Sequence, residues 1–223
     1  IIIYMKILIL GNGYLGNRAK ETWGSEAVLA TEMIKTVDDV RSLIKQHQPD
    51  AIFNAAGITG KPNVDWCENN QMETILGNTV LPVLIAQAAQ EAGVYLLHLA
   101  TGCIFYGLSP HEDGVWTEED YGNPVAVYSK SKYAADLVLS TLPNVGIARL
   151  RMPIDDHPCV PNLIDKITTY PKVIDVENSV TVVSDLLSAC YQLKKKKGEG
   201  VFHCTNPGTI RHKDIIQLYE QLV

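Results

Sequence analysis

Lys6-Ile-Leu-Ile-Leu10-Gly11-Asn12-Gly13-Tyr14-Leu15-Gly16 is the stretch on which the reading of the chain turns. An apolar run of strand length gives way at once to glycines in the pattern Gly-x-Gly-x-x-Gly, and a helical pattern begins at Tyr14. In that setting the backbone N–H groups of the turn and the new helix N-terminus would face a pyrophosphate. The glycine spacing alone is a weak signal that a plain glycine-rich turn also satisfies; the strand before it and the helix after it give it weight. Ile1 to Met5 extend the apolar run, but Lys6 interrupts it. A secretory leader is therefore not expected, and Met5 is a candidate start.

Farther along, short apolar runs alternate with longer helical patterns, the mark of a parallel sheet covered by helices on both faces. Strands are expected over 6–10, 27–30, 51–54, 95–100, 146–150 and 201–204. Helices are expected over 14–22, 37–47, 74–91, 126–142, 163–169, 184–195 and 212–222. The expected class is α/β, a Rossmann-like doubly wound parallel sheet with a small C-terminal substrate-binding region. Met152-Pro-Ile-Asp-Asp-His-Pro-Cys-Val-Pro161 breaks the rhythm and sets the boundary. A dinucleotide-binding domain then occupies 1–151. The region 152–223 is mainly substrate-binding, with the strand near 201–204 returning to the sheet. Open parallel sheets bind ligands beyond the carboxyl ends of their strands, and the residues after Asn54, Ala100 and Leu150 all fall on that edge.

With 223 residues and a formal net charge of -6, the chain can build one large domain with an appendage, and its charge balance argues against a nucleic-acid partner. The basic run from Lys194 to Lys197 reads as the solvated end of a helix. Cys67, Cys103, Cys159, Cys190 and Cys204 follow neither a paired framework nor a metal-ligand spacing, so a reduced, cytoplasmic protein without a metal site is expected. No membrane partner is expected. Apolar faces on helices 74–91 and 126–142 would suit a homodimer, although they would equally suit a core.

Tyr128-Ser-Lys-Ser-Lys132 places two side chains four residues apart on one helix face. The Lys132 ammonium is expected beside the Tyr128 phenol, drawing its pKa down from the usual value of about 10. A tyrosine so tuned can give a proton to a carbonyl oxygen while a nicotinamide delivers hydride to the carbon. Asn54-Ala55-Ala56-Gly57 is small and flat enough to form a wall against an adenine or ribose. Asn78 is either an exposed helical asparagine or one that orders water or backbone near Lys132. No acidic residue clearly closes the second strand, where an NAD-preferring site would hold the ribose hydroxyls. Lys35 or Arg18 would suit a 2′-phosphate, which points to NADPH, with NADH and a merely solvated Lys35 as alternatives.

The glycine turn, Asn-Ala-Ala-Gly, a threonine after the fourth strand and Tyr-x-x-x-Lys together resemble the extended short-chain dehydrogenase/reductases, in the dTDP-4-dehydrorhamnose reductase branch. Phe53-Asn-Ala-Ala-Gly-Ile-Thr-Gly-Lys-Pro-Asn-Val-Asp-Trp-Cys-Glu68, Ala100-Thr-Gly-Cys-Ile-Phe105 and Arg149-Leu-Arg-Met-Pro-Ile154 resemble the bifunctional 3,5-epimerase/4-reductases of nucleotide-linked rhamnose synthesis, including the C-terminal part of plant rhamnose synthases. Further echoes lie in Asn162-Leu-Ile-Asp-Lys166, Asn178-Ser-Val-Thr181 and Thr205-Asn-Pro-Gly208. The resemblance implies a UDP- or dTDP-linked 4-keto-6-deoxy sugar, NADPH, and Thr101 bonded to the 4-keto oxygen. It implies Met152 and Pro153 beside the cofactor. Cys103 stands where simple reductases carry tyrosine. Cys103 and Lys166 would exchange protons at C3 and C5, their pKa values lowered by burial and mutual proximity; a packed cysteine and a surface lysine fit the same residues. Asn162 and Arg211 are candidates for the diphosphate end. Relatives of this kind carry a further stretch after the helix that here reaches Val223. A monofunctional reductase and a cofactor-binding regulatory subunit are the competing expectations.

Overall fold

Four consecutive residues, Ile7, Leu8, Ile9 and Leu10, are fully buried, as happens only where a strand is covered on both faces. They form β1 (Ile7–Leu10) in a computed structural model that describes residues 5–222; residues 1–4 of the apolar start lie outside the described residues. The chain continues through α1 (Tyr14–Trp23), a 3-10 turn (Gly24–Glu26), β2 (Ala27–Ala30), α2 (Val37–His47) and β3 (Ala51–Asn54). There follow α3 (Trp66–Asn69), α4 (Gln71–Ile75), a π-turn (Leu76–Val80), α5 (Leu81–Ala92), β4 (Tyr95–Thr101), α6 (Val127–Leu139) and β5 (Val145–Leu150). The last part holds β6 (Pro153–Ile154), α7 (Leu163–Ile167), β7 (Glu177–Asn178), β8 (Thr181–Val182), α8 (Val183–Lys196), β9 (Gly200–Cys204), β10 (Ile210–Arg211) and α9 (His212–Leu222).

The main sheet has the order β2-β1-β3-β4-β5-β9, and every neighbouring pair is parallel. Leu10 pairs with Asn54, Asn54 with His98, Thr101 with Leu150 and Leu150 with Cys204, so the strands end along one edge. The chain order reverses between β1 and β3, which is where doubly wound sheets open a crevice. Leu8, Ile52, Leu96 and Ile147 face α2, α5 and α6 through Leu43, Ile85, Ala89 and Leu139. Ile9, Phe53, Leu97 and Ala148 face α1 and α8 through Trp23, Leu186, Leu187 and Cys190. Helix α8 thus belongs with the main sheet, along with β9. Two small sheets, β6 with β8 and β10 with β7, stand beside it.

The helix expected over 74–91 runs from Gln71 to Ala92, and its middle is a π-turn. Pro82 explains the departure, because its ring lacks an N–H and would collide with the carbonyl of Asn78 in regular α geometry. This run is long and apolar enough to cross a membrane, yet Ile85, Ala86, Ala88 and Ala89 are buried against the sheet. The helices expected to reach 142 and 169 stop earlier. Their last residues close three-residue turns instead, as in Leu142 N–H to Leu139 O at 3.1 Å and Thr169 N–H to Lys166 O at 3.1 Å. The lysine run is corrected at one position. Lys194 is buried, its amine 3.8 Å from the Tyr191 ring centre and without a hydrogen-bond partner among the described residues, while Lys195 to Lys197 are exposed.

Candidate active site

Helix α1 begins after Gly13 with no side chain capping it, leaving its first N–H groups free for an anion. Gly11 has φ 107°, and a Cβ there would lie 2.4 Å from the Ala56 nitrogen. A Cβ on Gly16 would lie 1.9 Å from the Gly11 carbonyl oxygen. Around Gly13 the space is open. The turn and the Ala55–Ala56 backbone therefore meet in direct contact, forming a cradle in which a pyrophosphate fits above Gly13. Asn12 is exposed and accepts from Asn17, and Leu15 packs into the α1 face of the core. Tyr14 is committed elsewhere: its hydroxyl donates to Asp155 at 2.8 Å, so only its backbone is available to a cofactor.

Asn54 shapes the wall. Its Oδ1 accepts from Ala56 N–H at 3.0 Å and its Nδ2 donates to His98 Nδ1 at 2.9 Å. His98 is fully buried and its Nε2 has no partner among the described residues. Burial, with Lys132 adding to it, holds the ring well below the ordinary histidine value and hence neutral. A Cβ on Gly57 would lie 3.8 Å from Lys132 Nζ and 3.1 Å from Asn78 Oδ1, so the wall runs directly to the catalytic candidates. Asn78 is buried rather than exposed. Its Oδ1 accepts from Ile58 N–H at 2.7 Å, and its Nδ2 donates to Ile58 O and Ser131 Oγ.

Lys132 is buried and donates to the Leu99 carbonyl at 2.7 Å. Burial pushes its amine down to about 8, with Asp136 acting in the opposite direction. Tyr128 departs from expectation: burial raises its phenol above the ordinary value, the nearby Cys103 adds to the rise, and a side-chain bond with Thr101 opposes it. The lysine is turned to the strand carbonyl and is not among the groups that act on the phenol, where desolvation dominates. Thr101 Oγ1 also accepts from Cys103 N–H at 3.1 Å.

Cys103 is half-buried, and its sulfur takes a hydrogen bond from the guanidinium of Arg151, a residue of the quoted stretch Arg149–Ile154 to which no role was given. Met152, next in the chain, has φ 44° although it precedes a proline, a combination that costs energy and concentrates at functional sites. The His212 ring reaches the Met152 sulfur at 3.4 Å. Pro153 opens β6. Lys166 is half-buried in α7, and its amine makes no hydrogen bond or ion pair among the described residues, so the expected closeness to Cys103 is not among the contacts formed. Asn162 takes a structural part in this arrangement. It is buried, caps α7, accepts from Asp155 N–H at 3.2 Å and donates to Asp155 O at 2.9 Å. Arg211 is paired on the surface with Asp175 at 3.2 Å and Glu177 at 3.3 Å, so a diphosphate would have to compete with these two carboxylates. Arg18 is likewise held, by Asp155 at 2.7 Å and by Glu21, whereas Lys35 is exposed and its amine has no partner among the described residues. Asp155, Asp156 and His157 bring three ligand atoms together, but Arg18 already supplies the positive charge there.

A family model described as the RmlD substrate binding domain matches residues 5–218. The chain belongs to that family. Among its RmlD relatives is the bifunctional dTDP-4-dehydrorhamnose 3,5-epimerase/dTDP-4-dehydrorhamnose reductase of Arabidopsis thaliana, 36% identical over 97% of this chain and 75% of the relative. The UDP-rhamnose synthase of Acanthamoeba polyphaga mimivirus superposes with a TM-score of 0.91 at 28% identity, covering 98% of this chain and 81% of that one. The dTDP-4-dehydrorhamnose reductase of Bacillus anthracis, solved in complex with NADP, gives a TM-score of 0.85 at 21% identity over 99% of this chain and 82% of its own, a likeness of fold. The RmlD assignment agrees with the six-stranded parallel sheet and its flanking helices.

Proposed function

We propose that this chain reduces the 4-keto group of a nucleoside diphosphate 4-keto-6-deoxyhexose with NADPH, and that the same pocket first inverts C3 and C5. The observation that carries the reading is the grouping of Thr101, Cys103, Tyr128 and Lys132 at one sheet edge, beside a glycine cradle open at Gly13. With its pyrophosphate held by Gly11, Gly13 and Gly16, NADPH would supply hydride to C4. Tyr128 gives its proton to O4, Thr101 holds that oxygen, and Lys132 keeps a positive charge close to the phenolate that results. For inversion, one of Cys103 and Lys166 removes the acidic proton next to the ketone and the other returns a proton to the opposite face. Thr101 and Tyr128 would steady the enolate oxygen meanwhile.

NADPH is favoured over NADH by Lys35, whose free amine suits a 2′-phosphate. The sugar nucleotide carries uridine or thymidine, as in the mimivirus and Arabidopsis relatives respectively. The substrate region is formed by residues 152–182 and 205–222. A cytoplasmic homodimer is proposed, with the exposed Met72, Leu76, Leu137 and Val138 as its apolar contact.

The test is NADPH oxidation by the purified protein given UDP-4-keto-6-deoxyglucose alone, with the product identified by NMR. Formation of UDP-L-rhamnose is expected. A monofunctional reductase is the second reading, favoured by the absence of a Lys166–Cys103 contact. It would oxidise NADPH only after a separate epimerase is added.

A further inference from the structure

Five arginines occur in the chain, and four of them are ion-paired: Arg18 with Asp155, Arg41 with Glu91, Arg149 with Asp136 and Arg211 with Asp175. Arg151 alone has no carboxylate partner among the described residues. It is half-buried directly after β5, and both ends of its guanidinium are engaged. Nη1 donates to Cys103 Sγ, and Nη2 donates to Asn178 Oδ1 at 2.6 Å. The backbone beneath is fixed as well. Arg151 N–H donates to Thr181 Oγ1 at 2.9 Å, and that hydroxyl donates to Cys204 O at 2.7 Å. The side chain lies along Gly102, where an added Cβ would stand 3.6 Å from Arg151 Cβ and Cδ.

A cation held this firmly and left without an anion is a site waiting for negative charge. Its neighbours supply none permanently: Tyr128 faces Cys103 from α6, Asn178 arrives from β7, and His212 approaches from α9, its ring kept below the ordinary value by burial and by Arg151 itself. The group beside it that gains negative charge by losing a proton is the Cys103 thiol. Building on the epimerase half of the proposed function, we infer that Arg151 is the positioning residue for Cys103: it aims the sulfur at the sugar ring and matches its charge while the proton is away. The balance is simple. The thiolate takes a proton from the carbon next to the ketone and becomes a thiol, and the electron pair moves to O4 as an enolate. The Lys166 ammonium returns a proton to the opposite face of that carbon and the ketone re-forms. The thiol then passes its proton through water to the Lys166 amine, which restores both groups.

The test separates inversion from reduction. Deuterium entry at C3 and C5 of UDP-4-keto-6-deoxyglucose is followed by NMR in D2O without NADPH, and reduction is assayed on the already inverted 4-keto sugar. In Arg151→Gln, exchange turnover should fall about 30-fold, the scale of one charge-assisted hydrogen bond, at unchanged KM, with reduction kept within about threefold. Arg151→Lys should recover part of the exchange, and millimolar guanidinium should restore it in Arg151→Ala, which no purely structural role predicts. Asn178→Ala, which releases one arm and keeps the cation, should give an intermediate loss and guards against misfolding of the Arg151 variants. Unchanged exchange in Arg151→Gln overturns the inference while leaving the epimerase reading standing. A KM rise shared by exchange and reduction overturns it too, and assigns Arg151 to the diphosphate. Absence of exchange in the unaltered enzyme sinks the epimerase reading and this inference together.

Discussion

Tyr128 enters the reaction already protonated, because burial raises its phenol, and Lys132 is the group whose charge changes near working pH. The lysine value is lowered to about 8, so its ammonium is present below that pH and lost above it. Reduction should therefore decline as pH rises through about 8, read from kcat under saturating NADPH and sugar. Tyr128→Phe should lower reduction by about 10²- to 10⁴-fold, the range for a general acid, with NADPH affinity unchanged by fluorescence titration. Lys194 offers a residue-scale test of stability. Burial pushes its amine down to about 8, so the folded protein resists charging it between the unfolded value of about 10.4 and that pH, and the penalty is complete below about 8. Lys194→Met should then unfold at a higher temperature than the parent at pH 7, and the gain should vanish above about pH 10. Tyr128 and Lys132 stood out because spacing on a helix face is a periodic fact, and Thr101 came with the resemblance. The role of Arg151 was not legible: it stands inside the quoted stretch Arg149–Ile154, but one arginine after a strand has no period to single it out, and four successive lysines look alike whichever of them turns inward.

At the scale of elements, the π-turn at Leu76–Val80 sends Asn78 inward to bind both backbone groups of Ile58 and the hydroxyl of Ser131. Asn78→Ala should cost about 1–3 kcal/mol, the range for leaving buried partners unmet, measured by urea unfolding. It should also raise KM for NADPH, because Ile58 continues the wall that begins at Asn54. Pro82 inside a helical pattern was the available clue to this distortion. A second element-scale device ties α1 to the segment after β6: Asp155 accepts from Arg18 and Tyr14. Burial pushes the Asp155 carboxyl up, yet Arg18, Tyr14 and Asp156 together hold it down at about 2. Asp155→Asn should destabilise by about 3 kcal/mol, measured by the same unfolding, and loosen the cradle from the substrate side. The six main strands were readable from alternating apolar runs. The two-residue strands β6, β7, β8 and β10 were not, because a period cannot be recognised in two residues, and their pairing is decided by distant partners such as Glu177 with Arg211.

Across the whole molecule, His98, His203 and His212 all lie below the ordinary value of 6.5, in each case first through burial. Their folded forms refuse protons that the unfolded chain accepts, so the stability they contribute is complete above about pH 6.5 and is lost as pH falls below it. The urea midpoint should drop between pH 7.5 and 5.5, and His98→Gln should flatten that drop. The strand order holds one more implication, for the protein as it is made. Strands β1 to β5, with the glycine turn, the Asn54 wall and Lys132, are complete by Leu150, whereas β9 must travel back from beyond α8 to join β5. Synthesis delivers the near pairings first and the distant one last. A nascent chain on the ribosome thus has a berth for its dinucleotide before it has one for its sugar, and an early guest there would steady the half-built domain while the rest is still being translated.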